Sequence, residues 1–166
     1  MTRKMTRCAL FAALMAPCAW IGIPLGHTVF TMQTFGVLLA LGVLGGKRGT
    51  VSILCYLLLG AAGLPVFSAF RGGIGTILGP TGGYLWGFLA TGLVYWAQEK
   101  WSRPLAMIAG LTACYACGTL WYMTYTGGAP AVVLAQTVLP YLVPDAVKLV
   151  LALRLARRLR KYSTAL

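Results

Sequence analysis

The sequence has very few acidic residues and only one histidine. Among its 166 residues only Glu99 and Asp145 are acidic, and His27 is the single histidine. Acid–base and nucleophilic catalysis need such groups in sets, so this chain has little catalytic equipment. A metal site or a Ser-His pair would also need partners for His27 that the chain does not offer. We therefore expect no enzyme, no metal site and no cofactor.

Nucleotide and redox motifs are missing or weak. Gly46-Lys47 is followed by Arg48, and no glycine stands five residues before Gly46, so the sequence has no P-loop and is not expected to hydrolyse ATP by that route. The cysteine count is odd, at five, which indicates no disulfide framework. Cys114 and Cys117 form a C-x-x-C pair. We interpret them as small packing residues of a helix, with a redox pair as the alternative.

Apolar residues make up most of the chain. Hydrophobic residues are 59% and charged residues 10% of the sequence, too little polar surface for a water-soluble domain of this size. The net charge is +12, but the 14 basic residues stand at the ends of apolar runs and not in a patch suited to nucleic acid. That distribution is the positive-inside pattern, and it predicts both termini on the cytoplasmic side. Arg71 and Lys148 are the exceptions, and exceptions of this kind mark candidate functional sites.

The apolar runs predict one domain, 1–166, that is an all-α integral membrane protein with six transmembrane helices and long, partly re-entrant external loops forming a binding pocket. The third run is shorter than the roughly 20 residues that cross a bilayer, so tilt or local thinning is required. The basic end of the chain, 154–161, is interpreted as a helix end whose side chains reach the cytoplasmic interface. The predicted spans are approximately 5–22, 28–46, 49–62, 83–98, 104–125 and 144–161.

The segment 61–83 fits neither a helix nor a solvated loop. It contains seven glycines, two prolines and a single charge, Arg71. Irregular backbone at membrane depth is tolerated only where protein buries it or where it lines a cavity. We therefore interpret this segment as the wall of a binding site.

The last apolar run carries two ionisable residues. Pro144 and Asp145 predict a helix start, because proline and an acidic residue both suit the first turn. Lys148 stands at i+3 from Asp145, so the two could be a structural ion pair. Ionisable residues within a span are costly in hydrocarbon and are more often functional, which favours a ligand site. The preceding segment 131–143 is then expected to dip inward as a second loop lining the same cavity.

The first helix carries four alanines spaced one turn apart in two pairs. Small residues at i and i+4 let another helix approach closely, and in lipid such packing drives association. The neighbour could be a partner protein or another helix of the same chain. The residues are Ala9 with Ala13 and Ala12 with Ala16.

Four blocks of sequence, in order along nearly the whole chain, resemble the BioY family. They are FTMQTFGVLL at 30–39, YLLLGAAGLPVF at 56–67, GPTGGYLWG at 79–87 and PDAVK at 144–148. BioY proteins are the biotin-specific substrate-binding (S) components of energy-coupling-factor (ECF) transporters. The resemblance implies capture of biotin in a pocket closed by external loops of a multi-pass protein in the bacterial cytoplasmic (inner) membrane. It also implies partners, namely a transmembrane T subunit that docks on the alanine face and two ATPase subunits, besides membrane lipid.

If the ligand is biotin, its chemistry assigns roles to particular residues. Asp145 would accept hydrogen bonds from the ureido N–H groups, Lys148 would donate to the ligand or hold Asp145, and Arg71 would meet the carboxylate near the mouth. Thr31 and Gln33 would add polar contacts, with a helix-start role as the alternative for Thr31. The cover would come from the glycine-rich segment, through Thr81, Gly82, Gly83 and Tyr84.

Three other functions stay open at this point. An S component for another vitamin would share the fold but not the blocks quoted above. A solitary biotin transporter working without ATPases would use the same pocket. An intramembrane enzyme is the remaining class, and the scarcity of acids and histidine argues against it.

Overall fold

The computed structural model describes residues 2–25 and 28–163, and it is mostly helical. His27 lies outside the described residues. The helices are α1 (Thr2–Trp20), α2 (Gln33–Leu44), α3 (Gly46–Ala61), α4 (Ile74–Ile77), α5 (Gly82–Gln98), α6 (Arg103–Thr126), α7 (Pro130–Thr137) and α8 (Leu139–Ser163). A two-stranded antiparallel hairpin, β1 (Gly22–Leu25) and β2 (Thr28–Thr31), separates α1 from α2, and a 3-10 turn (Ser68–Phe70) follows α3.

Helices occupy five of the six predicted spans almost to their ends, and the second span differs. Its first residues, 28–31, form β2, which pairs with β1 in the register Gly22↔Thr31 to Leu25↔Thr28. The run Thr-Val-Phe-Thr is β-branched and aromatic, which favours a strand over a helix. Helix α2 provides only 12 residues of this span, Gln33–Leu44, and α3 already begins at its last residue, Gly46. The six-span count stays a prediction.

The last helix begins earlier than the sequence predicted. Pro144 was expected at its start, but α8 begins at Leu139 and Pro144 lies inside it. Pro140 takes the place in the first turn where a missing N–H has no consequence. The segment 131–143 is consequently not a loop, because α7 and the first turn of α8 occupy it.

A one-residue turn joins α2 to α3. Gly45 has φ +81°, a conformation that side chains disfavour. Its neighbour Gly46 donates its N–H to the Glu99 carboxylate at 2.9 Å. The turn is thereby fixed to the end of α5, and α2 runs back through the centre of the helices with Leu38, Ala40 and other side chains fully buried.

Helices α5 and α6 are in close contact along much of their length. A Cβ added at Gly110 would lie 3.0 Å from the Thr91 carbonyl oxygen, and the single O–H of Thr91 is shared between the Gly87 and Gly110 carbonyl oxygens, 2.8 and 2.9 Å from Oγ1. Cys114 is buried in this contact and Cys117 is partly buried, and both are free thiols. Their burial between the helices agrees with the interpretation of both cysteines as small packing residues.

The alanines of α1 do not form one face. Ala12 and Ala16 are buried within the chain, where α1 packs against α2 and α3, whereas Ala9 and Ala13 are exposed. The prediction of a partner-binding surface is therefore wrong for Ala12 and Ala16, because their own chain covers them. It stays a prediction for Ala9 and Ala13.

The outside of the helices is strongly apolar. Large hydrophobic side chains are exposed on α1, α3, α5, α6 and α8, including Leu10, Leu58, Leu93, Ile108 and Val147. Many exposed apolar side chains on several helices suit contact with lipid. By length and composition alone, one helix of the described residues, Arg103–Thr126, is long and apolar enough to cross a membrane.

Candidate ligand-binding site

A cavity of about 340 Å³ opens at one end of the helices. Its volume is at the lower end of the roughly 300–1,000 Å³ typical of small-molecule sites. Segments far apart in sequence line it: β2, the start of α2, the α3–α5 connection, α5, α6, α7 and α8. The lining residues are Thr31, Gln33, Thr34, Phe67, Ser68, Ala69, Arg71, Thr76, Thr81, Tyr84, Leu85, Phe88, Leu111, Cys114, Tyr115, Thr137, Tyr141, Asp145 and Lys148.

A buried ion pair lies in the wall of this cavity. Lys148 Nζ is 2.7 Å from Asp145 Oδ1, and only 4% and 5% of the two side chains are exposed. The second carboxylate oxygen, Oδ2, accepts a hydrogen bond from the Tyr115 hydroxyl. Each carboxylate oxygen therefore has one protein partner and retains capacity for a second donor.

Lys148 is held on three sides. Its ammonium donates to the Thr31 carbonyl at 2.6 Å as well as to Asp145, and it lies 3.8 Å from the centre of the Phe30 ring. The Phe30 ring in turn stacks on Tyr141. An ammonium has three donor N–H groups, so one is left after these two hydrogen bonds. The hairpin and α8 are therefore joined by the contacts of Lys148 and by the Phe30–Tyr141 stack.

Gln33 and Tyr56 form a second polar group beside the cavity. The Gln33 side-chain amide donates to the Tyr56 hydroxyl at 2.6 Å, and that hydroxyl donates to the Val66 carbonyl at 2.8 Å. Tyr56 also meets Phe67 edge to face, with ring centres 5.5 Å apart. These contacts tie the α3–α5 connection to α2 and α3, which sets the position of the cavity wall.

Arg71 lies exposed at the cavity rim. The part of the chain that the structure describes contains two carboxylates, Asp145 and Glu99; the first pairs with Lys148 and the second lies beside Gly46 in the α2–α3 turn. The guanidinium is consequently a cation at the mouth with no carboxylate partner among the described residues.

The turn before Arg71 has an unusual backbone. Ala69 and Phe70 both have positive φ, 55° and 56°, a left-handed conformation that costs energy in residues with a Cβ. Phe70 stacks on Trp20 with ring centres 5.0 Å apart, and the Trp20 indole N–H donates to the Pro65 carbonyl at 2.8 Å. The end of α1 thus holds this turn over the cavity.

Seven of the nine residues predicted from the sequence line the cavity, and Gly82 and Gly83 do not. A Cβ at Gly82 would collide with the Ile77 carbonyl, and one at Gly83 with the Trp121 side chain. Both glycines serve close packing at the start of α5. Neither glycine lines the cavity, so their contact with a ligand stays a prediction.

Sequence reasoning missed Tyr115 and the aromatic walls. Tyr115 stands in the middle of an apolar run, and a phenol at such a depth needs a hydrogen-bond partner, which is the signal that could have identified it. Tyr141 carries the same signal, whereas Phe67 and Phe88 have no polar group, and buried aromatic residues are common in an apolar chain.

Tyr115→Phe is expected to weaken ligand binding about tenfold. The change removes the donor to Asp145 Oδ2 and leaves the ring, so the carboxylate loses one charge-assisted hydrogen bond, worth roughly 1.5–3 kcal/mol. Calorimetric titration with biotin, the ligand that the sequence resemblance implies, measures the loss. Tyr125→Phe, an exposed tyrosine on the same helix, is the matched control. Equal affinity of Tyr115→Phe and wild-type protein would show that this hydrogen bond does not shape the site.

Proteins of other organisms resemble this chain over nearly its whole length. The family model for BioY matches residues 1–165. The chain belongs to the BioY family. It is 42% identical over 164 residues to the biotin transporter BioY of Thermotoga maritima, covering 96% of both chains. It is 43% identical over 159 residues to the probable biotin transporter BioY of Pyrococcus horikoshii, covering 95% of this chain and 96% of that protein.

A solved structure also matches this BioY protein. It is a crystal structure of the S-component for biotin from an ECF-type ABC transporter, with a TM-score of 0.88 and 28% identity, covering 96% of this chain and 92% of the other. The resemblance drawn from the four sequence blocks is thus confirmed. BioY is a family of transporter components and not of enzymes, and membership implies a membrane protein.

Proposed function

We propose that this BioY protein captures biotin in the cavity around Asp145 and Lys148 and serves as the S component of an ECF-type transporter. The observation that carries the proposal is the buried Asp145–Lys148 pair, extended by Tyr115, in the wall of a cavity that also offers aromatic, aliphatic and neutral polar side chains. A charged pair at that depth is costly unless a ligand or the fold uses it. The names of the relatives point to the same ligand.

The polar and apolar parts of the cavity match the parts of biotin. The ureido ring has two N–H donors and one carbonyl acceptor; Asp145 offers carboxylate oxygens, and Lys148 has one donor N–H left after its two hydrogen bonds. Phe67, Phe88 and other apolar residues provide walls for the sulfur-containing ring and the alkyl chain. Thr31, Gln33, Thr81 and Tyr84 add polar contacts around them.

Charge balance supports a monoanionic ligand. Arg71 and Lys148 contribute two positive charges to the lining and Asp145 one negative charge, which leaves +1. Arg71 at the rim is placed to meet a carboxylate that points towards the mouth, while the ureido ring lies by the buried pair. In this orientation the carboxylate would stay close to water, so its desolvation is small.

Energy for uptake would come from partner subunits. Ala9 and Ala13 leave an exposed, shallow strip on α1, flanked by Leu10 and Leu14, where a helix of a transmembrane T subunit could approach closely. Two ATPase subunits would act through that T subunit. The proposed location is the bacterial cytoplasmic membrane, with six spans and both termini cytoplasmic.

The structure brings the start of α1, the α2–α3 turn and the end of α8 to one end, which is compatible with that orientation. Cys8 Sγ lies 3.7 Å from the Arg48 carbonyl, and Gly45, Glu99 and Arg160 share one crevice. The ligand cavity lies at the other end of α8, where it would face the external side.

Calorimetric titration of the purified protein in detergent tests the ligand. Biotin is expected to bind tightly with one site per chain, whereas thiamine and riboflavin, vitamins that lack a carboxylate and the imidazolidinone ring of biotin, are expected not to bind. Absence of biotin binding by monodisperse, helical protein would overturn the proposal. Binding of another vitamin in its place would make the chain an S component of different specificity.

A solitary biotin transporter is the alternative, because the same cavity would serve it. Uptake of radiolabelled biotin into vesicles, with and without the T and ATPase subunits, separates the two. Uptake that depends on the subunits and on ATP supports the ECF mode. Equal uptake without them would contradict it and leave the binding site unaffected.

A further inference from the structure

A second, basic cavity lies at the end of the helices opposite the ligand cavity. Two crevices, of about 530 and 280 Å³, share the side chains of Arg103 and Arg160, and we call them together the basic crevice. Arg160 comes 12 residues after Lys148 on α8, roughly 18 Å along the helix. The basic crevice is therefore separate from the cavity around Asp145 and does not depend on the ligand proposed there.

The lining of the basic crevice carries a net positive charge. Glu99 is the single carboxylate in its lining, and it also accepts a hydrogen bond from the Gly46 N–H. Four cations against this one carboxylate leave a net charge of +3, so an internal ion pair cannot neutralise the crevice. The four cations are Arg103, Arg157, Arg160 and Lys161.

Apolar surface surrounds these charges. The inner wall contains Met107, Leu153 and Ala156, and Val43 and Leu44 add apolar side chains on the side of the α2–α3 turn. Trp101, in the turn before α6, is 90% exposed, as aromatic residues at a membrane interface are. The crevice thus combines four cationic side chains with apolar walls contributed by α2, α6 and α8.

We propose that the basic crevice binds the phosphate of an anionic phospholipid, with the acyl chains lying against α6 and α8. Guanidinium groups offer paired N–H donors that fit phosphate oxygens, and Arg103 and Arg160 face the same space. Basic pockets between membrane helices at this level hold lipid headgroups. A free phosphate shares the headgroup chemistry but would leave the apolar walls unused, which favours the lipid.

Native mass spectrometry of the full chain in detergent tests this proposal. Phosphatidylglycerol is the probe, phosphatidylcholine with the same acyl chains tests the need for net negative charge, and inorganic phosphate tests the need for a lipid. The double variant Arg103→Gln/Arg160→Gln is compared with Arg154→Gln/Arg158→Gln. The control variant removes the same charge from exposed positions on α8 that do not line the basic crevice.

Phosphatidylglycerol is expected to bind wild-type protein, with affinity reduced about tenfold or more in the crevice variant and no more than about threefold in the control. Circular dichroism and thermal unfolding report whether each variant is folded, and Arg103→Gln alone replaces the double variant if that one does not fold. An equal loss of phosphatidylglycerol affinity in both double variants would mean that the lipid is attracted by the overall positive charge of this end, and it would overturn the proposed site. Equal binding of phosphatidylcholine, or displacement of the lipid by inorganic phosphate, would overturn the anionic lipid as occupant.

Discussion

Asp145→Asn is expected to weaken biotin binding by about a hundredfold or more. The substitution replaces one carboxylate oxygen by an NH₂ donor and leaves the Lys148 ammonium buried without its counter-charge. Loss of one member of a buried, hydrogen-bonded charge pair at a binding site typically costs 2–5 kcal/mol. Calorimetric titration with biotin measures the change, and Glu99→Gln is the matched control, because it is the same chemical change in the only other acid, beside the α2–α3 turn.

The same substitution also tests whether the pair is only structural. Breaking a buried pair destabilises a protein by roughly 3–5 kcal/mol, whereas removing both charges is often neutral. The double variant Asp145→Asn/Lys148→Met should therefore regain thermal stability relative to Asp145→Asn without regaining biotin affinity. Recovery of wild-type affinity in the double variant would show that Asp145 and Lys148 serve the fold and not the ligand.

Gly82→Ala is expected to destabilise the protein by several degrees in melting temperature and to weaken biotin binding with it. A Cβ at this position would collide with the Ile77 carbonyl, and backbone of α4 cannot move aside as a flexible side chain would. Overpacking of this kind typically costs 1–3 kcal/mol. Thermal unfolding in detergent gives the stability, and biotin titration shows whether the displaced start of α5 carries Thr81 and Tyr84 out of place.

Gly75→Ala is the control for this prediction. A Cβ at Gly75 meets nothing within 4 Å, and alanine favours the helix α4 by about 1 kcal/mol over glycine, so the melting temperature should stay the same or rise. If Gly82→Ala kept its stability but lost biotin binding, Gly82 would contact the ligand directly, as the sequence predicted.

The sequence alone was sufficient to find the charged residues of the site. In a chain with two acids and a strongly apolar composition, Asp145, Lys148 and Arg71 stand out, because an ionisable group is costly at membrane depth and is kept there for a reason. The motif blocks at 56–67 and 79–87 predicted the family, which the comparisons confirmed. These inferences needed only residue type and order, which a sequence carries directly.

The arrangement around those charges was decided by the tertiary structure. Whether Ala12 faces a partner or its own chain depends on where α2 and α3 pack, and the spacing of small residues is the same in both cases. Tyr115 reaches Asp145 across thirty residues of sequence, and no local pattern reports such a contact. The sequence likewise predicted a ligand contact at Gly82, whereas in the structure the backbone of α4 packs against this residue.

The sequence by itself therefore determined the class of protein, the family and the polar residues that a ligand would need. Composition, charge and motif order are properties of the chain, so they do not depend on which surfaces meet. The cavity, the hydrogen bonds that orient Asp145 and Lys148, and the division of small residues between packing and exposed faces depend on contacts between distant segments. Only the folded structure specifies those contacts, because many pairs of apolar faces are compatible with the same local sequence.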